Sequence, residues 1–256
     1  MTVNRRLVEL AIGAIPILAL LALWEYLTVF KIAPPTLLPS PGAVFSRFFY
    51  LLGDPNFLEH TAITLYRLFC GFGLAVIVGV SLGIAGAGSP LIGSLLRPVI
   101  RVMAPVPKIA LYPAFILTLG FDHASKIALV FADAMFPILL ATLQGALAVE
   151  PKLVWSARAM GVSRIKCLFT VVLTAALPSI LTGCRIGLVI SCIVVFLSEM
   201  ISSTDGLGLL LVRAARNFQI VDMFVPLIAI SALGLILNAA FNMLRARLLV
   251  GFPEES

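Results

Sequence analysis

Long apolar runs separated by short polar segments make up most of the chain. An α-helix needs about 20 apolar residues to cross the hydrocarbon core of a bilayer, and most of these runs reach that length. The alternating pattern of membrane barrel strands is not visible. The pattern therefore predicts an all-α polytopic membrane protein with about six transmembrane helices, at residues 7–30, 61–87, 104–120, 126–149, 168–200 and 223–244.

The composition excludes a soluble domain, because 61% of the residues are hydrophobic and only 12% are charged, against about 25% charged in soluble domains. A signal peptide would have an apolar core of ~7–15 residues and a small-residue cleavage site. The run at 7–30 has neither feature, so we expect a retained first helix. A segment that cannot be helical follows it, with Pro34, Pro35, Pro39 and Pro41. A short amphipathic helix is predicted next, at residues 42–52.

The formal net charge of +6 does not indicate a nucleic acid partner, because the basic residues flank apolar runs instead of forming one patch. Arg5 and Arg6 place the N-terminus in the cytoplasm, and six spans return the C-terminus there. Ten basic residues then lie inside: Arg5, Arg6, Arg97, Arg101, Lys152, Arg158, Arg164, Lys166, Arg245 and Arg247. Five lie outside: Lys31, Arg47, Lys126, Arg213 and Arg216. Four of the inside residues fall within residues 150–167, called the basic loop below.

The basic loop has the pattern of a surface helix, a sharp turn and a second helix. Leu153, Ala157 and Met160 recur at helical spacing on one face, which predicts a helix lying along the membrane surface. Gly161 is expected to end this helix in the left-handed conformation, and Ser163 to cap the next one. Taken alone, the same pattern also fits a cytoplasmic loop whose charge only sets the topology.

The order of residues in the basic loop resembles the cytoplasmic Glu-Ala-Ala loop of ABC importer permeases. Trp155-Ser156-Ala157 stands at the Glu-Ala-Ala position, and Gly161 stands at the glycine that follows four residues later. Other short stretches resemble the nitrate, sulfonate, taurine and bicarbonate permeases of this class. These are Leu38-Pro39-Ser40-Pro41, Thr64–Phe72, Pro105–Pro113, Phe136-Pro137-Ile138-Leu139, Glu199-Met200-Ile201, Gly206-Leu207-Gly208 and Ala215-Arg216-Asn217-Phe218.

This resemblance implies the fold of an ABC type I importer permease, with a first helix and proline-rich outer segment at 1–60 and a permease core at 61–249. It also implies that the basic loop couples the membrane helices to an ATPase. The coupling residues would be Lys152, Trp155, Ser156, Ala157, Arg158, Met160 and Gly161. Trp155 replaces the acid of the family pattern, which favours an apolar anchor over a charged contact.

The implied partners are a second copy of the chain, two ATP-binding subunits, a periplasmic solute-binding protein and membrane lipid. The implied location is the bacterial inner (plasma) membrane, with both termini in the cytoplasm. ATP and Mg would bind to the partner ATPase. This chain has no phosphate-binding Gly-x-x-x-x-Gly-Lys-Ser/Thr motif.

The residues themselves predict a non-catalytic chain without a cofactor. We find no constellation of nucleophile and general base. His60 and His123 are single and far apart in sequence, so a metal site is not expected. The four cysteines lack metal-ligand or redox spacing and are interpreted as packing residues: Cys70, Cys167, Cys184 and Cys192.

Four charged residues are expected within the membrane: Arg67, Lys108, Asp133 and Arg185. An excess of three cations over one acid suits the transport of a small anion such as a sulfonate, taurine or nitrate. Arg185 is the first choice for a substrate contact, and Arg67, Asp133 and Glu199 are further candidates for the path. Alternatively, Asp133 pairs with one of the cations, and Arg67 or Lys108 extends to an interface.

Two other functions remain open at this point. A self-contained secondary transporter or channel for a small organic solute needs no ATPase, although the inverted repeat that would favour it is not detected. A purely structural membrane subunit is the second alternative, which the basic loop disfavours. The substrate is not identified by this chain, because a binding protein performs much of the selection in the class it resembles.

Overall fold

The apolar runs fold into α-helices, as expected for backbone that must satisfy its own hydrogen bonds in lipid. The computed structural model describes residues 2–32, 34 and 36–252, except for the side chains of 2–12 and 14. Pro35 and the side chains of Arg5 and Arg6 therefore lie outside the described part. The helices are α1 (Thr2–Val29), α2 (Pro41–Leu51), α3 (Pro55–Gly88), α4 (Pro90–Met103), α5 (Tyr112–Leu119), α6 (His123–Leu147), α7 (Pro151–Ala159), α8 (Arg164–Cys167), α9 (Leu173–Ala175), α10 (Leu177–Ile201), α11 (Leu207–Arg216) and α12 (Ile220–Leu248).

Four helices of the described part are long and apolar enough to cross a membrane, namely α3, α6, α10 and α12. A fifth crossing results if α4 and the segment Lys108–Leu119 form one broken span. With α1, a helix of 28 residues whose described apolar part is Ile15–Val29, the count reaches six. The all-α polytopic fold is confirmed, and the crossing by α1 stays a prediction.

The third predicted span is where the helices differ most from expectation. The sequence predicts a proline-broken span at 104–120, preceded by a basic cytoplasmic segment. In the structure that preceding segment is the helix α4, and the chain then bends by 86°. Pro105 and Pro107 stand at the bend and cannot donate backbone hydrogen bonds. A 3₁₀ turn at Lys108–Leu111 leads into α5, which is too short to cross alone.

The chain forms two compact units. The first combines the N-terminal part up to Glu59 with Leu210–Ala229. In it, the Trp24 indole donates to the backbone of Pro39 at 2.9 Å, and Arg47 of α2 forms a salt bridge with Asp222 of α12 at 2.6 Å. The division into 1–60 and 61–249 stays a prediction.

The second unit comprises 60–209 and the chain from Ile230, and its core lies between α3, α6 and α10. Close approach of α3 and α6 depends on small residues that lie four positions apart in α3. A Cβ at Gly79 would meet Ile138 of α6 at 3.1 Å, and one at Gly83 would meet Thr142 at 2.6 Å. Cys184 and Cys192 are buried in this core, in keeping with a packing role.

Candidate functional site

The basic loop folds locally as its sequence predicts. α7 ends at Ala159, and Gly161 follows in the left-handed conformation with φ of 83°. The Ser163 hydroxyl accepts from the backbone N–H of Lys166 at 3.4 Å, which caps α8. A π turn at Leu168–Val172 and the short α9 connect this loop to α10. α7 has nine residues and cannot cross a membrane.

The coupling residues predicted from the resemblance lie together on this loop, and all of them except Ala157 are exposed. Trp155 is 69% exposed, Met160 is 77% exposed, and Ala157 is buried. Leu153 is also exposed, so the predicted apolar face of Leu153, Ala157 and Met160 is buried only at Ala157. Lys152, Ser156, Arg158 and Gly161 are exposed as well.

A cavity of about 320 Å³ lies behind the exposed side chains of the loop. The ends of α3 and α6 form one wall, with Gly88 and Leu147, and α7 and α8 form the other, with Trp155 and Arg164. Arg158 lines the cavity and donates to the backbone oxygen of Val162 at 3.3 Å. The loop thus turns sharply at Gly161, exposes large apolar side chains among basic ones, and borders this cavity.

A buried ion cluster occupies the far end of α10, away from the basic loop. Arg67 of α3 and Glu199 of α10 are almost fully buried, and their side chains form a salt bridge at 2.8 Å. Arg67 also pairs with Asp205, which follows α10. Its Nε donates to Nδ1 of His123 at 3.1 Å. Several neighbours therefore share the hydrogen-bond donors of Arg67, as the burial of a guanidinium group requires.

The same cluster holds the start of α11. Glu199 accepts from the backbone N–H of Gly208 at 3.1 Å, and Thr64 accepts from that of Leu207 at 3.0 Å. Nδ1 of His60 accepts from the N–H of Gly206 at 2.8 Å. Gly206 has φ of 99°, and a Cβ there would overlap the Glu199 carboxylate. Glycine is therefore required at this position by both backbone and space.

Asp205 is the partly exposed member of the cluster and lies outside the membrane-spanning helices. Burial alone raises the pKa of its carboxyl, but the hydrogen bond and charge of Arg67 outweigh burial and hold that pKa below its usual range. The carboxylate therefore stays ionised and keeps its ion pair with Arg67 at neutral pH.

The other intramembrane charges occupy separate places. Lys108 is buried, lies 3.6 Å from the Asp133 carboxylate and faces the ring of Phe136. Arg185 is exposed on α10, and its Nε donates to the Asn238 side chain at 3.0 Å. The alternative in which Asp133 pairs with a cation is confirmed. Arg67 and Lys108 are both buried, and Arg67 reaches Asp205 beyond the end of α10.

The predicted count of three cations over one acid leaves out Glu199, and with it the set becomes three cations and two acids. Glu199 lies within α10 and neutralises Arg67, while Asp133 neutralises Lys108. In the described chain, Arg185 has no acidic partner. The structure brings Arg67 and Glu199 together, and it places Asp133 and Arg185 elsewhere.

Sequence reasoning missed the residues that complete the buried ion cluster. Thr64, His60 and Asp205 lie 135 or more positions from at least one partner in the chain, so no local periodicity reveals them. One usable signal was present: an acid at the end of a predicted span, Glu199, needs a buried cation.

Comparisons with known proteins agree with this architecture. A family model described as binding-protein-dependent transport system inner membrane component matches residues 75–250. The taurine transport system permease protein TauC of Escherichia coli K12 is 32% identical over 95% of this chain and 90% of its own length. The putative aliphatic sulfonates transport permease SsuC of Bacillus subtilis is 30% identical, over 90% and 83% respectively. The nitrate import permease NrtB of Synechocystis is 28% identical, over 88% and 84%.

The fold is also similar to that of a solved structure. A chain of the inward-facing MetNI methionine ABC transporter superposes with a TM-score of 0.68 at 16% identity, covering 79% of this chain and 98% of that chain. The resemblance stated from short motifs is thereby confirmed at the level of the family. The chain belongs to the binding-protein-dependent transport system inner membrane components, the permeases of ABC importers.

Proposed function

We propose that this chain forms the translocation path of an ATP-driven, binding-protein-dependent importer for a small anion such as a sulfonate, taurine or nitrate. The relatives carry taurine, sulfonate and nitrate in their names, which supports this substrate class. ATP and Mg bind to separate ATP-binding subunits, two of which serve two copies of this chain. A solute-binding protein delivers the substrate from the other side of the membrane, and both termini lie in the cytoplasm.

The exposed apolar surface of the basic loop is the observation that carries this proposal. Trp155, Met160 and Ile165 are each at least 69% exposed on a segment that does not cross the membrane. Large apolar side chains exposed on such a segment mark an interaction site. The ATPase is the partner that fits, because α7 and α8 connect through a fixed turn to α10. A tilt of this loop is transmitted to a spanning helix, as alternating access by rocking requires.

Arg185 is the residue that supports an anionic substrate. It is exposed on a membrane-spanning helix, and its neutral partner Asn238 leaves its charge unbalanced. An unbalanced charge at this depth is costly unless it faces water, a ligand or a partner. We place Arg185 on the path formed with the second copy. The candidates Arg67 and Glu199 then hold the outer end of the path in shape, and Asp133 holds α6 to Lys108.

Coupling is tested with Trp155→Ala and Gly161→Arg in the importer purified with its ATPase. Both variants should reduce solute uptake at least tenfold per ATP hydrolysed, because one loses the apolar anchor and the other cannot adopt φ of 83° without strain. Leu117→Ala is the matched control, since Leu117 is 87% exposed on α5, outside the basic loop. Wild-type transport by Gly161→Arg contradicts the coupling role. Uptake by the chain without any ATPase contradicts the importer and favours a self-contained transporter.

A further inference from the structure

The turn between α11 and α12 presents an aromatic ring on a backbone that aromatic residues rarely adopt. Phe218 has φ of 57° and is 86% exposed. A left-handed backbone is unfavourable for a bulky residue and persists only where its surroundings fix it. Here the N–H of Phe218 donates to Ala215 at 3.2 Å, and that of Gln219 donates to Ala214 at 2.9 Å. The turn therefore holds the ring outward, where most of it is exposed.

Two arginines accompany this ring. Arg213 and Arg216 lie in the last turn of α11 and are exposed. In the part of the chain that the structure describes, neither forms a salt bridge. Arg213, Arg216 and Phe218 together are called the outer knob below. Phenylalanine and arginine are both enriched at protein interfaces relative to the rest of the surface.

A recess lies beside the outer knob in the same compact unit. Its volume is about 230 Å³, and Arg213 and Gln219 form part of its wall. The salt bridge between Arg47 and Asp222 forms another part, and Phe57 contributes an apolar patch. A partner that docks here contacts both a protruding ring and a recess with polar and apolar walls.

The side of the membrane follows from the chain path. In the predicted topology α10 crosses the membrane from the side of the basic loop, so the chain that follows α10, with the outer knob, is assigned to the opposite side. Under the proposed function this is the side from which the binding protein delivers its solute. We propose that the outer knob docks onto an acidic surface with an apolar pocket on that binding protein. This inference rests on the proposed function and adds the contact that recruits the partner.

Lipid headgroups also attract arginines and aromatic rings at a membrane surface. A headgroup adapts to either side-chain direction, so it needs neither a left-handed backbone nor a fixed turn. Fixed presentation of a single ring lowers the ordering cost of docking to a folded partner. The observations therefore favour a protein over a lipid.

The test uses the complete importer in nanodiscs of zwitterionic lipid, with its binding protein added at increasing concentration. The measured quantity is the concentration that gives half-maximal stimulation of ATP hydrolysis. Phe218→Gly and Phe218→Asn suit the left-handed turn and should raise this concentration about tenfold, as loss of a hot-spot ring does. Arg213→Gln with Arg216→Gln should raise it and also flatten its dependence on salt. Phe121→Ala, which removes a 65% exposed ring from another connecting turn, should leave it unchanged.

The outcomes separate the two proposals. If the binding protein does not stimulate the wild-type importer, the proposed function fails. If it stimulates the wild type and the knob variants equally, or if Phe121→Ala has the same effect as Phe218→Gly, the outer knob is not the docking site. An effect that appears only in anionic nanodiscs assigns the knob to lipid, and loss of the dimer in the variants assigns it to the second copy. Either result overturns the inference.

Discussion

Two arginines in the membrane helices occupy opposite environments. Arg67 has no exposed surface and is surrounded by carboxylates, a hydroxyl and an imidazole. Arg185 is exposed, with one amide as its hydrogen-bond partner. A saturated guanidinium can only hold structure, whereas an unbalanced one is available to a ligand. Because the sequence shows both as single arginines in apolar runs, it does not distinguish these roles.

Arg185→Gln is expected to reduce uptake of the anion 10- to 100-fold, since a hydrogen bond to a charged group contributes about 1.5–3 kcal/mol. The melting temperature should change little, because Arg185 is exposed and Gln can still reach Asn238. Arg185→Lys retains the charge and should keep most of the activity. Uptake kinetics in proteoliposomes provide the measurement, and normal uptake by Arg185→Gln excludes the substrate contact.

Glu199→Ala is expected to lower the free energy of unfolding by about 3–5 kcal/mol, because it leaves the buried Arg67 without one of its two carboxylates. The yield of monodisperse protein in detergent and its thermal unfolding report this loss. Glu59→Ala removes an exposed carboxylate from the same helix as Arg67 and serves as the control. Equal stability of the two variants would contradict a structural role for the buried ion cluster.

At the scale of elements, the apolar runs located α6 and α12 to within a few residues. α3 starts six residues before the span predicted at 61–87, and α10 starts nine residues after the start of the span predicted at 168–200. The span predicted at 126–149 is α6 at His123–Leu147, and the one at 223–244 is α12 at Ile220–Leu248. The left-handed Gly161 and the cap at Ser163 were also predictable, because both depend on local backbone chemistry. The 86° bend between α4 and the segment after it was not. Proline predicts that a helix is interrupted, but tertiary packing sets the direction in which the chain continues.

The anchoring of α11 gives a prediction at the same scale. Gly206→Ala should lower the melting temperature by several degrees, because the new Cβ meets Glu199 and the residue must keep φ of 99°. Gly73→Ala is the same substitution in open space within α3 and should be neutral or slightly stabilising. Thermal unfolding of both in one detergent decides the point, and matched losses would show that the anchor does not constrain α11.

At the scale of the whole molecule, family membership was accessible from short motifs because they fall in order along most of the chain. The residues that act in coupling and transport are still predictions, since they depend on partners that a single chain does not contain. The topology rests on charge counting, with ten basic residues assigned inside and five outside.

The topology is tested by labelling intact cells with a membrane-impermeant thiol reagent. Phe121→Cys should react from outside and Ile165→Cys only after the membrane is opened. Both positions are exposed, and the spanning helix α6 separates them, since Phe121 precedes α6 and Ile165 lies on α8 after it. The native cysteines give a low background, since three are buried and Cys70 is half-buried. Labelling of Ile165→Cys in intact cells would show that the predicted topology is inverted, with the basic loop on the side of the membrane that lacks ATPases.

The ion pair between Arg67 and Glu199 also constrains how the chain enters the membrane during synthesis. The two residues are 132 positions apart, an interval that a ribosome needs roughly 7–26 s to translate at about 5–20 residues per second. During that interval α3 carries an arginine whose neutralising acid does not yet exist, and an unpaired charge within a spanning helix is costly in lipid. We therefore expect α3 to remain close to the translocon, or to water, until α10 emerges. The permease core then becomes stable in lipid as one late event and not helix by helix.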